Sequence, residues 1–230
     1  LCRYYHRWSI VGVGIILWSL ASAGSGLTGF AKTEVDAGGG GIWLLVGTFG
    51  FLLPHKGLDV SLAAVQSLNN QGKRTTLRAL CSLHPDPSSN ATYERLIETI
   101  NRQGLTSVVS LETGYKNVQE IHTELSDVDV IVLPYSQTEE SASGVLAMLL
   151  SIGKPIIATD LDIFAGARDA LITIAAPAQA DDLTATLLNL RQDTDRMVEM
   201  GERARKRALD ISWGHIGQQT TELYKTLLSS

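Results

Sequence analysis

The sequence predicts an α/β fold over residues 42–230, a Rossmann-like doubly wound parallel sheet. Three observations carry that expectation. Short apolar runs alternate with longer stretches whose apolar residues recur at helical spacing. The runs are continuously apolar, as in parallel strands covered on both faces, and do not alternate with polar residues. Glycine or acidic turn residues follow several runs, where ligands bind on sheets of this kind.

Strands are expected at residues 43–47, 76–82, 107–111, 130–133, 155–158 and 171–174. The first runs through Gly47 toward Gly50, and a loop leads to Lys56-Gly57. Leu58, Leu62, Val65 and Leu68 then mark one face of a helix over 58–69. His84-Pro85-Asp86-Pro87 reads as a loop stiffened by its prolines. Asn90 is placed to cap a helix over 91–102, and that use outweighs its Asn-Ala-Thr sequon. Further helices are expected at 118–125, 144–152, 180–190, 193–209 and 213–228.

Residues 1–41 form a separate, irregular or apolar segment. Residues 8–31 carry no charge, Ile10 to Leu20 is strongly apolar, and Arg3 and Arg7 precede it, as in a signal peptide or short membrane anchor. Glycines interrupt the run, and a spanning helix needs about 20 predominantly apolar residues. A linker or the remnant of a missing N-terminal domain is the reading preferred, with Gly38 to Gly41 as a flexible joint and Leu1 as the start of a fragment.

Composition narrows the function classes. A net charge of -5 argues against nucleic acid as a partner, because Arg203, Arg205, Lys206 and Arg207 are balanced by Glu199, Glu202 and Asp210 and read as a solvated helix face. Cys2 and Cys81 are too few for a disulfide framework, so a cytoplasmic setting is expected, with peripheral membrane association left open. His6, His55, His84, His122 and His215 lack zinc spacing, and Asp127 and Asp129 have no further ligands nearby. No metal and no cofactor is expected.

Two stretches carry candidate chemistry. Between Ser136 and Asp160, Glu139 and Glu140 follow an apolar strand, and Ser141, Ala142, Ser143 and Gly144 lead into a helix whose first amides are free to meet an anion. Glu139 reads as an ordinary acidic residue at a helix start. Between Leu44 and Leu68, Gly47, Gly50 and Lys56 lie on the way into a helix, where a cation opposes the dipole and its presence favours a functional role. No Gly-Lys-Ser/Thr follows, so this is not a P-loop.

These blocks, with Ile211-Ser212-Trp213 and the helix ending Leu223-Tyr224 and Leu227-Leu228, resemble retaining GT-B glycosyltransferases of the family 4, or glycosyl transferases group 1, type. The resemblance covers about 42–230 and implies the C-terminal, donor-binding domain. It implies that Glu140 meets the donor sugar, that Gly50, Lys56 and the 141–144 turn bind the diphosphate, and that Gly114 and Tyr115 border the nucleobase. Lys56 and Glu140 are then the catalytic candidates. The family's second Glu falls on Met148, eight positions after Glu140, and its Arg falls on Phe51. Met148 reads as a subtype mark. The implied partners are a nucleotide sugar, an acceptor of unknown identity and an N-terminal acceptor domain that residues 1–41 are too few to build. The competing expectation is a non-catalytic nucleotide-sugar-binding or scaffold module partnering another glycosyltransferase.

Overall fold

The structure is a computed structural model and describes residues 43–136, 138 and 140–229. The expectations for residues 1–41 and for Glu139 lie outside the described residues. Six strands form one sheet: β1 (Leu44–Phe51), β2 (Thr75–Ser82), β3 (Val109–Glu112), β4 (Val130–Leu133), β5 (Ile156–Thr159) and β6 (Ile172–Ile174). Their order is β3-β2-β1-β4-β5-β6, and every neighbouring pair is parallel. The chain winds outward from β1 in one direction and from β4 in the other. The carboxyl ends of those two strands therefore flank the crevice where doubly wound sheets hold ligands.

The helices are α1 (Leu58–Asn70), α2 (Pro87–Arg102), α3 (Val118–Ser126), α4 (Gly144–Leu150), α5 (Ala180–Arg191), α6 (Thr194–Asp210) and α7 (Trp213–Ser229). Short 3-10 segments lie at Pro54–Lys56 and Asp162–Ala170. Successive side chains of β4 point to opposite faces, so Val130 and Val132 join one core layer and Ile131 and Leu133 the other. The first layer receives Leu62, Val65 and Leu68 of α1 with Leu183 and Leu187 of α5. The second receives Leu125 of α3, Leu149 and Leu150 of α4, and Phe164. Burial on both faces is why the strands read as unbroken apolar runs.

Three expectations are corrected. β1 continues to Phe51, so Gly47 lies inside the strand and not on a ligand loop. A Cβ there would stand 2.9 Å from Val128 Cγ1 and 3.1 Å from Leu125 Cδ2, so packing requires glycine at this position. The helix expected from residue 91 starts at Pro87, and Asp86 caps it by accepting the Ser88 amide at 2.8 Å. Proline suits the first helical turn because its missing N–H has no partner to lose there. Asn90 lies inside that helix. The basic stretch is also only partly solvated. Arg203 pairs with Glu199 at 2.6 Å, but the Arg205 guanidinium packs over Gly153, where an added Cβ would stand 2.6 Å from Nη2.

Asp129, in the turn before β4, has a local structural role. Its carboxylate accepts the Leu45 amide at 2.7 Å, its own amide donates to the Leu45 carbonyl at 2.8 Å, and burial raises its pKa. No helix among the described residues is long and apolar enough to cross a membrane. α7 buries none of its residues and leaves Trp213, Leu223, Tyr224, Leu227 and Leu228 exposed.

Candidate active site at the ends of β1 and β4

The site is built by two loops from strands that are neighbours in the sheet and distant in the chain. The first leaves β1 after Phe51, one residue past Gly50 at φ 147°, and turns through Pro54–Lys56 into Gly57, at φ 68°. The second leaves β4 through Pro134 and Tyr135 and reaches α4. Gly57 lies so close to the second loop that a Cβ on it would collide with the Pro134 carbonyl oxygen. The Ser136 amide donates to the His55 carbonyl at 2.8 Å and stitches the loops together.

This close approach brings Lys56 to Glu140 across 84 residues of sequence, with Nζ 3.4 Å from Oε2. The Lys56 side chain is 14% exposed and that of Glu140 51%, so the ammonium is set into the crevice and the carboxylate stands at its mouth. Lys56 is therefore not the solvent-facing residue that a helix start alone would suggest. Its amide donates to the Leu53 carbonyl at 3.0 Å, and its Nζ lies 4.2 Å from the centroid of the Tyr135 ring. Tyr135 is 2% exposed and is wedged between His55, edge-on at 6.5 Å, and Phe164 at 5.2 Å.

Ser143 caps α4 by accepting the Leu146 amide at 3.1 Å. Ser141, Ala142 and Gly144 are exposed, and the Glu140 amide donates to the Thr138 hydroxyl at 3.2 Å. The start of α4 faces the end of β1, since a Cβ on Gly50 would stand 3.7 Å from Val145 Cγ2. Lys56, Glu140, Gly50 and the turn before α4 thus share one crevice. Gly114 and Tyr115 do not join them. They follow β3, two strands away from β1 and so roughly 10 Å off, at about 4.8 Å per strand. Ser82 Oγ donates to the Gly114 carbonyl at 3.2 Å, and Tyr115 is 90% exposed, so this tyrosine is not a packing residue. The neighbouring Lys116 is held by Glu112 at 2.8 Å and Glu124 at 2.6 Å.

The two departures from the family pattern have physical counterparts. Phe51 lies edge-on to His84 at 5.1 Å and brings no charge. Met148 is half-buried and packs against the α3–α4 core layer, a position where a carboxylate would lose hydration. The residue that sequence reasoning misses is Tyr135. Its only signal is an aromatic after the strand-ending proline, at the head of an otherwise polar loop.

Burial, and then the charge of Lys56, hold His55 below the usual histidine pKa, against a smaller opposing pull from Glu140. Burial and Arg205 do the same to His122. Both imidazoles favour the neutral form in the fold, whereas the unfolded chain protonates near pH 6.5. Their stabilisation is fully present above that value and is lost as pH falls through the lower folded values. Thermal denaturation should show Tm falling between pH 7 and about pH 5. The fall should be shallower in a His55→Asn, His122→Asn double variant, despite the opposite tendency of Asp129. Parallel pH curves for parent and variant would contradict this assignment. Among the described residues no group of three or more His, Cys, Asp or Glu is placed to hold a metal ion.

The sheet order defines a Rossmann-like doubly wound α/β domain, with the Lys56–Glu140 pair at its reversal point. Residues 42–193 match the glycosyl transferases group 1 family, and the chain belongs to that family. It is 26% identical over 181 residues to the MMP α-(1→4)-mannosyltransferase of Mycolicibacterium hassiacum, covering 77% of this chain and 41% of the relative. Among solved structures it resembles the sucrose-phosphate synthase of Thermosynechococcus elongatus, with TM-score 0.66, 19% identity and coverage of 81% of this chain and 46% of that one. HepE of Anabaena, solved with UDP and glucose, gives TM-score 0.66 and 17% identity, with 79% and 48% coverage. The C-terminal domain of a glycosyl transferase group 1 family protein from Francisella tularensis gives TM-score 0.63 and 13% identity, with 73% and 85% coverage. At these identities the likeness speaks for the fold. The chain spans less than half the length of the mannosyltransferase, the synthase and HepE.

Proposed function

We propose that this chain is the donor-binding half of a glycosyltransferase that moves a sugar from a nucleotide diphosphate sugar to an acceptor with retained anomeric configuration. The observation that carries the reading is the convergence of Lys56 and Glu140 in the crevice between the carboxyl ends of β1 and β4. Lys56 offsets the charge that builds on the diphosphate as its bond to the anomeric carbon breaks. Its partial burial strengthens that interaction, because water screens it less. Glu140 accepts hydrogen bonds from the sugar hydroxyls and orients the ring. Gly50 leaves room for the phosphates at the end of β1, and the 141–144 turn borders them. Gly114 and Tyr115, at the end of β3, border the base. No metal takes part in this scheme, so donor affinity should be unchanged by EDTA.

The acceptor and its activating groups belong to a second domain. Support comes from the coverage of the relatives and from α7, whose exposed apolar residues offer a surface for such a domain. Phe51 and Met148 favour a second reading, in which the fold keeps nucleotide-sugar binding and serves as a scaffold for a partner glycosyltransferase.

The test is thermal denaturation and calorimetric titration with UDP, GDP, ADP and their sugar conjugates. A ligand at a hundred times its Kd adds about 2.7 kcal/mol of stability. One base should stand out. Glu140→Gln should weaken the sugar conjugate by roughly tenfold while leaving the free nucleotide diphosphate unchanged, as for one hydrogen bond to a charged group. Equal losses for both would remove Glu140 from the sugar subsite. Absence of binding by any of the nucleotides would overturn the donor reading.

A further inference from the structure

Ser82 ties the end of β1 to the loop that follows β3. Its carbonyl accepts the Leu52 amide at 2.9 Å, and in the β1–β2 ladder it stands opposite Phe51. Its hydroxyl donates to the Gly114 carbonyl at 3.2 Å. The last paired residues of β2 and β3 are Leu80 and Glu112, so Ser82 and Gly114 lie where the next step of that register would fall, two residues further on in each segment. The hydroxyl therefore makes, from a side chain, a cross-strand bond where the ladder has ended. Packing does not seat the loop at this point. A Cβ on Gly114 would meet nothing within 4 Å, and the Tyr115 ring is 90% exposed. The place of that ring is set by its backbone, and the Gly114 carbonyl just before it is held to β2 by Ser82. Because β2 lies between β1 and β3, this one residue spans the gap between the two ends of the crevice.

We propose that Ser82 is a positioning residue for the donor, its hydroxyl holding Gly114 and Tyr115 at the offset from the end of β1 that separates the base of a nucleoside diphosphate from its phosphates. The proposal rests on the reading in which Lys56 meets the diphosphate while Gly114 and Tyr115 border the base. Ser82 itself touches neither part of the ligand. Without its hydroxyl the loop is free to take other positions, and an arriving base has to order it. That cost falls only on ligands that carry a base. Inorganic pyrophosphate, confined to the Lys56 crevice, does not register the change.

Calorimetric titration with UDP, GDP and ADP, read on whichever the parent binds most tightly, is set beside titration with inorganic pyrophosphate. Ser82→Ala should lower nucleotide affinity by roughly three- to tenfold, the loss of one hydrogen bond, and leave pyrophosphate affinity at the parental value. Ser82→Thr keeps a hydroxyl on a side chain suited to a strand and should restore most of the loss. A purely structural role would move both ligands or neither. Tyr115→Ala, measured alongside, should weaken the nucleotide by roughly tenfold and spare pyrophosphate, as for an aromatic ring against a base. Nucleotide affinity unchanged in Ser82→Ala but lowered in Tyr115→Ala overturns the role of Ser82 alone. Affinity unchanged in both, or no nucleotide binding by the parent, overturns the base reading and this proposal with it. Equal losses for nucleotide and pyrophosphate in Ser82→Ala would mean that the change spreads to the end of β1 through the Leu52 bond, and that also overturns the proposal.

Discussion

Gly57→Ala should lower Tm by roughly 6–12 °C, the largest stability effect expected of any conservative change near the site. Gly57 occupies the left-handed region at φ 68°, where a side chain costs about 1–2 kcal/mol. The added methyl would also meet the Pro134 carbonyl oxygen, which is backbone and cannot rotate away. Relieving that contact means prising the β1 loop from the β4 loop, and overpacking of this kind costs about 1–3 kcal/mol. The combined cost of about 3 kcal/mol at about 2–4 °C per kcal/mol gives the stated range for a domain of this size. Gly72, whose Cβ would meet nothing within 4 Å at a similar φ of 72°, separates the two terms. Gly72→Ala should show only the conformational part, roughly a third to a half of the loss. Equal effects at the two glycines would mean that the Pro134 contact relaxes freely.

Lys56→Ala should weaken binding of the nucleotide diphosphate ten- to a hundredfold, a charge-assisted hydrogen bond being worth about 1.5–3 kcal/mol. No second cation stands at the position of Phe51 to share the load. Lys116→Ala is the control, because its ammonium is already engaged by Glu112 and Glu124 and should leave diphosphate affinity unchanged. Titration calorimetry of the two variants against the same nucleotide decides the matter. Comparable losses would place the phosphates nearer β3 than the Lys56 crevice.

The strands were legible where burial is uniform. β4 begins and ends at the expected residues, because Val130 to Leu133 are apolar throughout and polar or proline residues bound them. β1 was harder to read, since glycine ordinarily marks turns, whereas Gly47 is a place where α3 must come close. α2 was shortened by reading both prolines as breakers, although one is the first residue of the helix. Lys56 and Glu140 were legible as separate candidates through the family resemblance. Their pairing depends on the sheet order, which local sequence does not reveal. Tyr135 was invisible for a related reason, since its two ring neighbours come from segments 80 residues before and 29 residues after it.

The Ser136–His55 hydrogen bond and the Gly57–Pro134 contact join residues 55–57 and residues 134–136 into one wall. A ligand arriving there meets a preorganised surface. Residues 55–57 and 134–136 need no ordering by that ligand, so less conformational entropy opposes binding there than at a site assembled by closure.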